Sequence, residues 1–470
     1  MTQFVDRDST DGFRGIAEVA VPGPDRANPE TFALLTSALV REMPASGERQ
    51  RSIVVAGDTR PSTEALVEGV VAGARRENAH VHYMGVAPTP AAQWAAKRTH
   101  ASGTVVVTAS HNPAEYNGWK GMPGYRKPLP SEVERIHGTY FRDVVHGVHI
   151  PVSASAPTVR RDLLDQYQQA VIRDIRANFE DILPLDGKVV VYDGANGAAK
   201  EVMPQVFESL GATVIRYACG DGVINEGCGA ADLDGLHNFL AQNPTINSDN
   251  LLGAFANDGD GDRMMGVALR PDGSTATIDG NHMMHALAQG EPGIVGTLYT
   301  NYGLVSRLRD EGIGFAECPN GDSYVTQKLV NMQRQGLPWR RGGEFTGHLI
   351  DTDWLPSGDG VRMAAWYASY LVSRGMTMAD AHDALPLWAT HQIKVPHQLS
   401  RDGLRAVMNH PDLCGTLDVA SDAMGDQGRH IVRPSGTEPI IRVYVEAAQP
   451  EVATEMSATI AHRVMSLVGK

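Results

Sequence analysis

Cysteine is scarce in this chain of 470 residues. Cys219, Cys228, Cys318 and Cys414 are too few and too scattered for a disulfide framework, and none forms a CxxC pair of the zinc type. They read as reduced thiols of a cytosolic protein. Aromatic residues make up only 6%, and no segment supplies the roughly 18 consecutive apolar residues of a membrane-spanning helix. The opening MTQFVDRDSTDGFRG carries charge where a signal peptide needs an apolar stretch, so a cytoplasmic location is expected. Positive charge is also in short supply, with 41 Lys and Arg against 55 Asp and Glu and a net charge of −14. Neither nucleic acid nor an anionic membrane is therefore an expected partner, and an anionic ligand would have to be met by local cations.

What is present is ordinary globular usage, 42% hydrophobic and 20% charged, at a length that suggests about three domains. Three stretches repeat one pattern: an apolar run, a turn of small residues, a helical pattern and a second short apolar run. They begin at Ser52 (SIVVAGDTRPS), Lys188 (KVVVYDGANGA) and Gly293 (GIVGTLYTNYG). Each reads as a βαβ unit, and spacings above one hundred residues exclude a solenoid. The tail differs, with strand-like runs at 391–395, 430–432 and 440–445 and a helical pattern over 450–468. The expected class is α/β: three related domains and a smaller α+β C-terminal domain. Polar or Pro-rich joins near 150–160, 268–275 and 384–398 place the domains at 1–155, 156–267, 268–384 and 385–470.

The sharpest chemical signal is NDGDGDR, where Asp258, Asp260 and Asp262 follow the apolar run 251–256. Alternate carboxylates separated by Gly let one tight loop turn several oxygens toward one hard cation. A calcium EF-hand is excluded, because Arg263 stands where its Gly is required and Leu269 where its Glu is required, and Mg²⁺ is the expected ion. Arg263 offers partial neutralisation or a contact to phosphate. A solvated acidic turn is the bland alternative. A haloacid dehalogenase type of phosphatase also begins with DxD after a strand, but typically continues into Gly-Thr or Gly-Val.

TASHNP, residues 108–113, follows the strand-like run 104–107 and presents Ser110 at the carboxyl edge of a sheet, where α/β folds gather ligands. His111 is its neighbour, yet no GxSxG elbow surrounds the serine and adjacency alone makes no triad. In RPSGTEPIIR, Arg433 and Arg442 offer planar forks to phosphate, and Ser435, Gly436 and Thr437 supply hydroxyls and turn N–H groups. They would supply the local cations an anionic ligand needs; a helix cap or a loop with incidental arginines is the bland alternative. In GGEFTGH, Glu344 and Thr346 suit paired sugar hydroxyls and His348 suits proton transfer, although a flexible loop fits the heptapeptide equally well. Arg14 and Lys120 are weaker candidates, whose bland readings are surface charge. No Walker A pattern occurs.

Taken in order, TASHNP, DGDGDR, GEFTGH and RPSGTEP resemble the four signature loops of the α-D-phosphohexomutase superfamily. The resemblance implies four domains around a central cleft and a mutase that moves phosphate between O6 and O1 of one hexose. It implies a phosphate carried on Ser110 and Mg²⁺ held by Asp258, Asp260, Asp262 and the Ser110 oxygen. Glu344 and Thr346 would read sugar hydroxyls. Arg433, Ser435, Gly436, Thr437 and Arg442, with Arg263, would bind substrate. Ser110, His111, Lys120, His348 and Arg14 would form the catalytic set. Glucose or glucosamine 1,6-bisphosphate is the implied activator, a small phosphosugar the implied partner, and a monomer or homodimer the implied assembly.

Within the superfamily, STDGFRG, VINEGCGAADLDGL, VGTLYTNYGL and NGDSYV are similar to the branch that acts on glucosamine phosphates, so glucosamine 6-phosphate is the expected substrate. A glucose or mannose phosphate mutase, or a metal-dependent sugar phosphatase, is the alternative. Four positions depart from the family pattern: Ser9 stands for Gly, Trp119 for an aliphatic residue, Gly121 for an aromatic, and Thr346 for Ser.

Overall fold

The computed structural model describes residues 12–21, 23, 26–43, 50–152, 157–243, 246, 250–435 and 439–469. Ser9, Gly436 and Thr437 lie outside the described residues. The chain divides into two compact units, Met1–Tyr299 with Ile313–Asp383, and Thr300–Gly312 with Ala384–Lys470. Among the described residues no helix is long and apolar enough to cross a membrane.

The larger unit holds three five-stranded mixed sheets. The first contains β1 (Phe13–Ile16), β2 (Ser52–Gly57), β3 (His80–Val86), β4 (Gly103–Val107) and β5 (Tyr116–Pro123). The second contains β6 (Val189–Asp193), β7 (Thr213–Tyr217), β8 (Leu251–Asn257), β9 (Met264–Leu269) and β10 (Thr275–Ile278). The third contains β11 (Gly293–Thr297), β12 (Gly314–Cys318), β13 (Arg341–Gly343), β14 (Leu349–Asp351) and β15 (Leu355–Gly358).

One topology is used three times. Three parallel strands are followed by an antiparallel return, in the orders β5-β4-β2-β3, β9-β8-β6-β7 and β14-β13-β11-β12. A fifth strand, β1, β10 or β15, pairs antiparallel on the outside of the return strand. In every copy the connection from the third parallel strand into the return carries an expected chemical loop: 108–115, 258–263 and 344–348. The near-continuous apolar runs of β4 and β8, buried throughout, are those of strands covered on both faces.

Two of the departures from the family pattern explain each other. Side chains two apart on a strand share a face, and Trp119 and Gly121 sit two apart on β5. The Trp119 indole is buried, donates to Thr36 Oγ1 at 2.9 Å and covers position 121, where a Cβ would stand 2.0 Å from the ring. The aromatic volume has moved two residues along the same face.

One expected join is corrected. Residues 268–275 are no linker: Arg270 N–H donates to Ser274 O at 2.8 Å, Ser274 N–H to Asp272 Oδ1 at 2.9 Å, and β10 pairs with β9. PDGS is turn chemistry inside a hairpin, so the second sheet runs through Ile278 rather than ending at 267. The join at 384–398 begins where the two compact units divide, at Asp383/Ala384, and runs into the expected strand, β16 (Ala389–Pro396), the first of the C-terminal sheet.

The smaller unit is an antiparallel sheet, β16-β18-β17, with β17 at Gly428–Pro434 and β18 at Ile440–Ala447. The helix Pro450–Val468 buries Ala453, Ile460, Ala461 and Val464 in a common core with Ile441, Val443 and Val445. Residues Thr300–Gly312, which connect β11 to β12 of the third sheet, group with this compact unit. The buried Glu446 carboxylate explains why. It accepts from Tyr302 N–H at 3.2 Å, from Arg429 Nε at 2.6 Å and from Tyr444 OH at 2.7 Å, while Arg429 Nη2 also donates to Thr300 O at 2.6 Å.

Candidate active site

Ser110 lies just beyond β4, and Asp258, Asp260 and Asp262 occupy the β8–β9 connection. The Ser110 hydroxyl donates to Asp258 Oδ2 at 2.7 Å. Ser110 has φ +54°, a left-handed conformation that costs a non-glycine residue on the order of 1–3 kcal/mol. The two loops touch closely because position 259 is glycine; a Cβ there would stand 2.6 Å from Ser110 O.

The three aspartates are fully buried, and one carboxylate oxygen of each lies within 4.8 Å of the others. Such clustering is unfavourable without compensating positive charge. Lys120 on β5, buried rather than solvated, places Nζ 2.7 Å from Asp260 Oδ2 and 2.9 Å from Asp262 Oδ2. Arg263 Nε lies 3.7 Å from Asp258 Oδ2. Asp260 is fixed further by Thr89, whose hydroxyl donates to Oδ2 at 2.5 Å and whose N–H donates to Asp260 O at 2.8 Å. Thr89 opens the helix Thr89–Thr99, so the positive end of that helix dipole faces the aspartates.

Burial, then Asp262 and Asp260, pushes the Asp258 carboxyl up to about 7. Burial acts upward on Asp262 too, but Lys120, His348, Lys127 and Arg263 together outweigh it and hold that carboxyl well below the usual range. Asp260 Oδ1 and Asp262 Oδ1 are buried without a hydrogen-bond donor. Unpartnered carboxylate oxygens converging with Asp258 suit a hard divalent cation such as Mg²⁺.

His111 Nδ1 is 3.5 Å from Ser110 Oγ, farther than Asp258 Oδ2. Burial, then Arg263 and Arg14, pushes His111 down to about 4, so it is neutral near pH 7. Arg14 lies on β1 in register with Gly118 of β5, on the strand that carries Lys120.

The β13–β14 turn holds Glu344, Thr346 and His348. Glu344 is buried and accepts from Gly321 N–H at 2.8 Å; burial, then Asp322, pushes it up to about 7. Thr346 is half-buried. His348 Nε2 accepts from Arg263 Nε at 2.8 Å, which leaves Nδ1 as the protonated nitrogen, 3.5 Å from Asp262 Oδ1 and 4.0 Å from Asp322 Oδ2. Burial holds His348 below its ordinary value. Lys127 Nζ, 2.5 Å from Asp322 Oδ2, adds a buried ion pair. The first three chemical loops thus meet through Ser110–Asp258, Lys120–Asp260, Lys120–Asp262 and Arg263–His348.

In the smaller unit Arg433 on β17 and Arg442 on β18 are cross-strand partners, and Lys394 on β16 is the partner of Arg442 on its other side. Directly opposed residues share a face, and like charges there repel, so the row of three cations suits an anion. Arg442 Nη2 also donates to Ser435 Oγ at 3.4 Å. Lys394 was not a sequence candidate, since only strand register brings it to Arg442. Asp58, Arg60, Thr89, Lys127 and Asn225 were missed too. Of these, Asp58 and Arg60 carry a signal, a DTR triplet directly after an apolar strand.

Family models match residues 7–143 (phosphoglucomutase/phosphomannomutase, alpha/beta/alpha domain I), 273–387 (alpha/beta/alpha domain III) and 395–463 (C-terminal domain). The chain belongs to the phosphoglucomutase/phosphomannomutase family. Among relatives of this family, a phosphoglucosamine mutase of Frankia casuarinae is 33% identical over 466 residues, covering 96% of each chain. One of Pseudoalteromonas translucida is 31% identical over 468 residues, covering 97% of each. A crystal structure of a phosphoglucomutase/phosphomannomutase family protein from Burkholderia thailandensis aligns with a TM-score of 0.76 at 20% identity, over 97% of this chain and 96% of that one, and shares its fold.

Proposed function

We propose that this chain interconverts hexose 6-phosphate and hexose 1-phosphate, with glucosamine 6-phosphate and glucosamine 1-phosphate as the preferred pair. The observation that carries the reading is the Ser110 hydroxyl held 2.7 Å from Asp258 inside a buried triad of aspartates. The choice of sugar rests on the phosphoglucosamine mutase relatives.

Asp258, Asp260 and Asp262, with the Ser110 oxygen, are the residues to hold Mg²⁺, which when bound neutralises charge on the serine phosphate. Phosphoryl transfer needs positioning and charge neutralisation more than covalent help. The Ser110 Oγ–P bond breaks as a bond forms from phosphorus to the free sugar hydroxyl. The proton that hydroxyl gives up is balanced by the one the released Ser110 oxygen takes up, with Lys120 and His348 beside the transfer as its positioning partners. The resulting hexose 1,6-bisphosphate turns end for end, and Ser110 takes back the other phosphoryl group. His111, neutral near pH 7, and Arg14 border the reacting oxygen and phosphate. Glu344 and Thr346 read hydroxyls, Arg263 contacts phosphate, and Arg433, Ser435, Gly436, Thr437 and Arg442 grip the phosphate that is not in transfer. Lys394 extends that cationic row.

A coupled assay with the 1-phosphates of glucosamine, glucose and mannose tests the reading. Isomerisation fastest with glucosamine 1-phosphate, stimulated by trace bisphosphate and absent in Ser110→Ala, is the expected result. Normal turnover in Ser110→Ala would refute it.

A further inference from the structure

Two stretches remain without a task in that mechanism: the DTR triplet after β2 and the segment VINEGCGAADLDGL, which contains Asn225. Both converge on the peptide groups of the serine loop. Arg60 is fully buried, and a guanidinium has five N–H donors in one plane. Here all five are directed. Nε donates to Asp58 Oδ2 at 2.9 Å, Nη2 to Ser110 O at 2.9 Å and Asn112 O at 2.8 Å, and Nη1 to Tyr116 O at 2.9 Å and to Pro113 O. Three of the five bonds go to carbonyls of the 108–115 loop and a fourth to that of Tyr116, where β5 begins.

Asn225 reaches the same place from the second domain. Its Nδ2 donates to Ser110 O at 2.8 Å and to Asn112 O at 3.0 Å, so both carbonyls that bracket His111 are shared with Arg60. A carbonyl oxygen has two lone pairs, and each accepts one bond from each side chain. The amide of Ser110 is held as well: its N–H donates to Thr108 Oγ1 at 2.9 Å, and Thr108 Oγ1 donates to Asp58 Oδ2 at 2.6 Å. Asn225 is fixed in turn by its own N–H on Ala195 O at 3.0 Å, in the connection after β6.

We propose that Arg60 and Asn225 are positioning residues for phosphoryl transfer at Ser110. Gripping the same two carbonyls from the first and second domains, they keep Ser110 in the left-handed conformation that aims its hydroxyl at Asp258. The inference rests on the mutase reading above. A buried guanidinium needs an acceptor for every N–H, and here four of the five acceptors are carbonyls at or next to the serine loop. Asn225, from another domain, duplicates the bonds to the Ser110 and Asn112 carbonyls. Misplacing a reacting group by about 1 Å costs on the order of a hundredfold in rate.

Asn225→Gly is the clean variant, because glycine accepts the φ of +60° at this position without strain and only the amide is lost. Asn225→Asp keeps the shape but sets an anionic oxygen against two carbonyls. Arg60→Lys keeps charge beside Asp58 and loses the planar fork. For all three the expected result is kcat for hexose-phosphate isomerisation lowered roughly ten- to hundredfold, with KM within about twofold. Uptake of phosphoryl on Ser110 from glucose 1,6-bisphosphate, followed by intact mass, should slow in parallel. Wild-type kcat and phosphoryl uptake in Asn225→Gly would overturn the proposal, as would a lowered Tm with kcat unchanged or a rise in KM alone. Absence of isomerisation and of Ser110 phosphorylation in the unmodified protein would instead defeat the mutase reading, and this proposal with it.

Discussion

Lys120 Nζ stands between Asp260 Oδ2 and Asp262 Oδ2, at 2.7 and 2.9 Å, so a cation from the first sheet balances two anions from the second. Removing one partner of a buried charge cluster leaves the others uncompensated, at about 3–5 kcal/mol. Lys120→Met should therefore unfold at lower temperature in chelator, and added Mg²⁺ should recover more of its Tm than it adds to the parent protein. Thermal melts with and without Mg²⁺ check this; equal shifts for both proteins would count against an aspartate metal site.

Glu344 contributes a pH dependence of defined sign. Its carboxyl is pushed up to about 7 in the fold from an ordinary 4.5, so the folded state holds the proton more tightly than the unfolded chain. That contribution is whole below pH 4.5, fades as pH rises toward 7 and is lost above. Glu344→Gln keeps an acceptor for Gly321 N–H but has nothing to titrate. The stability of the parent relative to this variant should fall between those two pH values, as measured by urea unfolding across the range; a difference independent of pH would contradict the buried carboxyl.

Trp119 and Gly121 should behave as one unit. Trp119→Leu alone opens a cavity, at about 2–4 kcal/mol, and Gly121→Phe alone collides with the indole. The double variant should be more stable than the sum of the single effects predicts, by more than about 1 kcal/mol, as residues sharing one space couple. Denaturant melts of the four proteins close the cycle, and simple additivity would show that the two side chains do not share a volume.

Lys394 should matter to substrate binding more than to chemistry. Lys394→Ala should raise KM for hexose phosphate roughly three- to tenfold, the effect of one exposed charge on an anion, and leave kcat nearly intact. Steady-state kinetics at two salt concentrations give the answer: the gap should narrow in high salt, and an unchanged KM would remove Lys394 from the phosphate site.

Much of this was legible in the chain itself, for reasons that differ by residue. Asp258, Asp260 and Asp262 stand out because close carboxylates are costly unless used. Ser110 stands out because it ends an apolar strand. Both signals are local. Lys394 and Asn225 were invisible because their roles depend on strand register and on contact between separate sheets, neither of which is written in nearby residues. PDGS misled for a related reason, since the same turn chemistry closes a hairpin or ends a domain, and only the pairing of β10 with β9 decides. The anchoring of the Tyr302 helix to Glu446 was equally invisible, because the two lie 144 residues apart.

The thrice-used sheet topology has an evolutionary and practical consequence. The same hairpin tip recurs in three sheets and provides three equivalent positions for divergence; under the proposed function one would carry the nucleophile, another the acidic cage and the third the hydroxyl reader. Such a division of labour lets selectivity drift in the 344–348 turn while the reactive apparatus stays constant. Grafting that single turn from a relative is accordingly the economical route to a new sugar preference.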